Sequence, residues 1–136
     1  MKIISSFIRY HFPAILWAVI ILISMSLPAQ YIPKVKIFGY DKIAHIGVFF
    51  VFGILIYRSI INWEHKPRSI LKSLILMLFF VMVFGCVSEL YQHFIPGRTP
   101  DIFDFIADSI GGLLSIIAEL FYNIYKSKEK LKVDNN

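Results

Sequence analysis

Asp41, Lys42, His45, Glu89, Gln92, Arg98, Asp101, Asp104 and Asp108 are the residues of this 136-residue chain best equipped for chemistry, and they are set among apolar runs. Asp41 and His45 are four apart, Glu89 and Gln92 three apart, and Asp101, Asp104 and Asp108 three and four apart. Each set therefore shares one face of a helix. Five carboxylates (Asp41, Glu89, Asp101, Asp104, Asp108) face Lys42 and Arg98, before His45 and His93 are counted. That negative excess calls for protonated acids, protonated histidines, a bound cation or a cationic ligand group.

Several chemistries fit. Lys42 and Arg98 at the mouth of an acidic pocket suit a polar or phosphorylated head group, since arginine matches phosphate geometry. Glu89, His45 and Asp104 are the catalytic candidates for acid–base work on a lipid-linked substrate. Glu89, Asp104, Asp108 and His45 offer the mixed oxygen and nitrogen ligation that Mg, Mn or Zn accept, but no HExxH motif or cysteine pair accompanies them, so no cofactor is assigned. The alternative is interhelical glue, with Arg98 clamping Glu89 or Asp104. Number favours function: fixing a register takes one or two polar contacts, and this set is much larger.

Other polar residues read as structural. His93 is expected beside Tyr91 as an interfacial ring, and Glu119 as a carboxylate snorkelling toward the tail. Ser88 and Ser109 have no evident base partner, and Gly111-Gly112 permit close helix approach.

The elements that must carry these residues are membrane helices. The chain is 57% hydrophobic and 17% charged, against ~45–50% and ~25% in soluble domains. Apolar runs at 12–27, 43–61, 73–88 and 102–125 each approach the ~20 residues that span a bilayer. In the last run Ile102, Phe105, Ile106, Ile110, Leu113, Leu114 and Ile117 form the apolar remainder around Asp104, Asp108 and Glu119. The expected fold is all-α: a polytopic bundle of four transmembrane helices over 1–125, with a basic, frayed tail at 126–136. The first run resembles a signal peptide, but Leu27 stands where a cleavage site after Ala29 wants a small residue, so a retained anchor is expected. Cys86, the single cysteine, lies inside an apolar run and is expected to be a buried thiol.

Charge gives an orientation. Lys and Arg number two before the first run (Lys2, Arg9), three in the first loop (Lys34, Lys36, Lys42), four around the second (Arg58, Lys66, Arg68, Lys72), one in the third (Arg98) and four in the tail (Lys126, Lys128, Lys130, Lys132). Ten of 14 thus fall on one side, which the positive-inside rule makes cytoplasmic, with both termini. Trp63, Tyr57, Tyr122 and Tyr125 are expected as interfacial anchors there. The polar cluster faces the other leaflet. A net charge of +5 without a basic stripe interleaved with aromatics gives no case for nucleic acid. Between the last two runs, Pro96-Gly97 fits a type II turn, and Thr99-Pro100 an N-cap followed by proline at the first helical position, with Asp101 in the first turn.

In order and spacing, Asp41-Lys42-x-x-His45, Glu89-x-x-Gln92 with Pro96-Gly97-Arg98, and Asp104-x-x-x-Asp108-x-x-Gly111 resemble the VanZ-like family of bacterial membrane proteins over residues 40–114. The family more often has Asn at the place of Asp108. The resemblance implies a multi-pass protein of the cytoplasmic membrane, related to the cell envelope or to glycopeptide (teicoplanin-type) resistance. It marks Asp41, Lys42, His45, Glu89, Gln92, Arg98, Asp104 and Asp108 as the ligand-binding set. The expected partners are the bilayer and the head group of a lipid or cell-wall precursor. An enzyme, or a structural helper of envelope complexes, is the competing expectation.

Overall fold

A computed structural model describes residues 2–28, 30, 39–63 and 69–134, and the described residues form helices and connecting turns without a strand. Lys34, Lys36, Lys66, Arg68 and the notional cleavage site at Ala29 lie outside them. The helices are α1 (Lys2–Tyr10), α2 (Phe12–Met25), α3 (Tyr40–Ile61), α4 (Ile70–Gln92) and α5 (Ile102–Asp134).

Three of these, α3, α4 and α5, are long and apolar enough to cross a membrane, and α1 with α2 makes a fourth crossing if the bent pair counts as one span. The expected first span is thereby revised. The 14 residues of α2 reach only about 21 Å at 1.5 Å per residue, short of a ~30 Å hydrocarbon core. Counted with it as one span, α1 adds the missing length across a 44° bend. Pro13 is the cause: it has no N–H for the Arg9 carbonyl, and its ring crowds that carbonyl.

End-to-end contacts give an up-down-up-down bundle. His11 at the start of α2 meets Ser59 near the end of α3, with 2.7 Å between Nδ1 and Oγ, and its ring packs edge-on against Trp63. At the opposite end Ser26, just past α2, meets the Tyr91 hydroxyl of α4 at 3.0 Å. Helices α3 and α5 run parallel and make the most extensive contact between any two of the described helices. Glycine permits it: a Cβ on Gly111 would fall 2.5 Å from the Ile46 carbonyl oxygen of α3, and one on Gly112 would fall 2.8 Å from Val81 Cγ1 of α4. The glycine pair thus seats α5 against both neighbours, as its small size anticipates.

The core is built from Ile21, Met25, Phe49, Phe52, Tyr57, Ile60, Leu74, Met77 and Val81. Phe52 and Phe84 pack with centroids 4.8 Å apart, within the range of favourable aromatic pairs. Large side chains such as Phe79, Phe80, Ile106, Leu113 and Phe121 point outward instead. An apolar exterior of that extent suits lipid.

Four expectations change. Cys86 is exposed on the outer surface of α4. Tyr57 is buried and accepts a hydrogen bond from Asn123 at 3.1 Å, so it is no headgroup anchor. Glu119 is 5% exposed, buried among helices rather than snorkelling. The tail continues α5 to Asp134, where Tyr125 donates to Glu129 one turn on at 2.8 Å.

Candidate functional site

At the end of the bundle where α3 and α5 begin and α4 ends, the polar residues meet. The connection from α4 fixes their level. Arg98 N–H donates to the Ile95 carbonyl at 3.0 Å and Gly97 has φ 74°, the left-handed value that position i+2 of a type II turn demands. The cap differs from expectation. Asp101, not Thr99, caps α5: its Oδ1 accepts the Phe103 N–H at 2.9 Å, satisfying a donor of the first turn. Asp101 N–H in turn donates to Glu89 Oε2 at 3.0 Å, tying the start of α5 to the end of α4.

Two layers follow. In the outer layer Lys42 reaches Asp41 at 3.1 Å, Asp101 at 2.6 Å and Asp104. The ammonium beside Asp101 holds its carboxyl below the ordinary carboxylate value, with the Phe103 N–H adding to the effect. Asp104 also lies 3.8 Å from His45 Nε2, linking outer layer to inner. The inner layer is His45, Glu89 and Asp108. His45 Nδ1 lies 2.8 Å from Asp108 Oδ1, and Glu89 Oε1 accepts from Gln92 Nε2 at 3.0 Å. Glu89, Gln92 and Asp108 are all buried. Gly85 makes the room: a Cβ there would stand 3.2 Å from Asp108 Oδ2. That oxygen is buried and has no hydrogen-bond partner among the described residues.

Arg98 behaves unlike the clamp expected of a glue residue. It donates to the Leu27 carbonyl at 3.3 Å and to Gln92 Oε1 at 3.5 Å, and among the described residues it pairs with no carboxylate. Lys42, by contrast, is committed to three acids. Of the two cations expected at the mouth, only Arg98 keeps donors uncommitted to an acid.

A cavity of about 220 Å³ opens beside this network between α2 and α3. Trp17, Ile21, Met25, Val48 and Phe49 make apolar walls, and His45, Gln92 and Arg98 make its polar end. Sequence reasoning missed the α2 contribution. The available signal was Trp17, whose indole N–H needs an acceptor inside a span and finds the Val48 carbonyl at 3.0 Å.

All eight expected ligand residues are thus brought into one network, with Asp41 at its exposed rim. His93 is exposed and packs on Phe94 rather than Tyr91. Ser88 and Ser109 donate to the carbonyls of Gly85 and Phe105 in their own helices.

The VanZ/LLP1 family model matches residues 4–124, most of the chain. An uncharacterised protein of Schizosaccharomyces pombe is 27% identical over 104 residues, a match covering 76% of this chain and 61% of that protein. No solved structure matches the chain.

Proposed function

The chain belongs to the VanZ/LLP1 family, and from that premise we propose that it is a cell-envelope membrane protein whose outer-leaflet pocket binds a phosphorylated head group of a lipid or lipid-linked precursor. One observation carries the reading: Arg98 closes the polar end of an otherwise apolar cavity and pairs with no acid among the described residues. A guanidinium with donors to spare beside greasy walls fits a phosphate with its hydrocarbon chain attached. A role in glycopeptide resistance of the teicoplanin type would be one consequence of holding a cell-wall precursor there. The fungal relative favours a head group shared by many membranes over one confined to bacterial walls.

Native mass spectrometry of the purified protein with phosphatidic acid or a polyprenyl phosphate tests this. Arg98→Ala is expected to lose the phosphate lipid while keeping the fold. Equal retention of lipid by the variant, or loss of folded protein along with lipid, speaks for interhelical glue.

A second reading, an enzyme, has its own observation. Asp108 holds one nitrogen of His45 at 2.8 Å while the ring lines the cavity. A carboxylate so placed orients an imidazole for proton transfer. Turnover of a lipid phosphate that His45→Gln abolishes supports it, and an inert protein across such substrates counts against it.

A further inference from the structure

We propose that His45, Glu89 and Asp108 bind a divalent transition-metal cation of the Mn²⁺ or Zn²⁺ type. One ligand atom from each residue lies within 4.8 Å of the other two. Ligands around a single ion at about 2.0–2.2 Å sit roughly 3–4 Å apart, so small side-chain movements close the set on a metal. The residues come from three different helices, α3, α4 and α5, as a site assembled by tertiary packing requires.

Charge argues the same way. The single lysine of the network serves Asp41, Asp101 and Asp104, all in the outer layer. Among the described residues no Lys or Arg side chain touches Glu89 or Asp108. With both carboxylates ionised and the imidazole neutral the set would carry a charge of minus two, which one divalent ion would offset. Asp108 Oδ2 is the independent sign: the side chain is 1% exposed, and this oxygen has no partner among the described residues, although buried polar atoms are rarely left so. It faces Gly85 of α4, one turn before Glu89 on the same helix face, so it is aimed between the ligand-bearing elements.

The donor set selects the ion. Ca²⁺ wants six to eight oxygens and Mg²⁺ keeps mostly water, whereas one imidazole with two carboxylates suits Mn²⁺ or Zn²⁺. Gln92 Nε2 and the Asp101 N–H both bond Glu89, the outer-shell support that metal-binding carboxylates use. Three protein ligands leave positions for water or another oxygen donor. His45 and Gln92 line the cavity, so those positions adjoin it. The site does not depend on the head-group reading, because Arg98 is no part of the ligand set.

The test uses the full chain in nanodiscs, stripped with EDTA and titrated with Mn²⁺ by electron paramagnetic resonance. One equivalent is expected to bind, with nitrogen coupling from the imidazole in the echo-modulation spectrum. Zn²⁺ should displace it. Asp108→Asn and Glu89→Gln keep side-chain size, and each should weaken binding by at least the 10–100-fold that loss of an outer-shell partner costs. If either variant fails to fold by circular dichroism, the nitrogen coupling in the wild-type protein still decides. No bound ion, or an ion without nitrogen coupling, overturns the proposal and leaves protons to neutralise the two acids. Arg98→Ala separates the readings: loss of phosphate lipid with Mn²⁺ retained leaves both standing. Phosphate binding with no ion leaves the head-group reading alone.

Discussion

Gly111 lies against the backbone carbonyl of Ile46 so closely that a Cβ on the glycine would stand 2.5 Å from the oxygen and 2.9 Å from the Phe50 nitrogen. Neither atom belongs to a side chain that can swing aside. This contact sets the distance between α3 and α5; Asp108, one turn before Gly111 on α5, meets His45, the residue before Ile46 on α3, at 2.8 Å. The polar cluster is assembled by a glycine.

Gly111→Ala is therefore expected to destabilise the bundle by about 1–3 kcal/mol, the usual cost of overpacking, and to separate His45 from Asp108. Gly47→Ala in the same helix as Ile46 is the control, because nothing lies within 4 Å of its added Cβ. Alanine there should be neutral or stabilise by roughly 0.5–1 kcal/mol. Thermal unfolding of both variants in detergent checks the pair, and equal behaviour would refute the close-contact argument.

Lys42→Met removes the cation from three carboxylates at once. Its side chain is 28% exposed, so the loss should lie between that of a surface pair, ~0–1 kcal/mol, and that of a buried pair, ~3–5 kcal/mol. We expect about 1–3 kcal/mol. Adding Asp104→Asn to the same variant should recover part of it, because the 13% exposed Asp104 carboxylate is the least hydrated of the three. A double-mutant cycle by thermal unfolding measures the coupling.

What the sequence made legible follows from cost. Charged residues are expensive in lipid, so Glu89, Asp104 and Asp108 had to face one another, and helical spacing identified their faces. Their convergence was readable for that reason. The division of labour was not: whether Lys42 or Arg98 meets the acids depends on how closely α3 and the α4–α5 turn approach α5, which spacing within each helix does not give. Hydropathy likewise located α3, α4 and α5 but clipped their ends. Tyr40 to Lys42, Glu89 to Gln92 and the lysines beyond Tyr125 lower the apolar average without breaking the helix. The bend at Pro13 escaped because a short apolar run looks the same straight or as half of a broken span.

Asp101 supplies a pH dependence outside the membrane-spanning segments. The Lys42 ammonium and the Phe103 N–H favour its ionised form, so its value in the folded protein lies below the ordinary 3.8. A depressed carboxylate contributes stability above the unfolded value and loses it as pH falls through the folded one. Unfolding temperature should thus fall more steeply below about pH 4 in the parent than in Asp101→Asn, with the curves converging in acid. Parallel curves would mean that the Lys42 contact contributes nothing.

The side on which the cluster opens rests on charge. Ten of the 14 Lys and Arg residues fall to one side of the alternating spans, and the turn from α4 to α5 carries Arg98 alone. The basic α5 extension bearing Lys126, Lys128, Lys130 and Lys132 lies at the far end of that helix from the cluster. The positive-inside rule puts this extension in the cytoplasm and the turn outside. Replacing the exposed Cys86 with Ser leaves a cysteine-free chain into which single reporters can be placed at Thr99 and Lys130. An impermeant maleimide should label Thr99→Cys in intact cells and Lys130→Cys only after permeabilisation. The opposite pattern would turn the pocket toward the cytoplasm, where envelope precursors on the outer leaflet could not reach it.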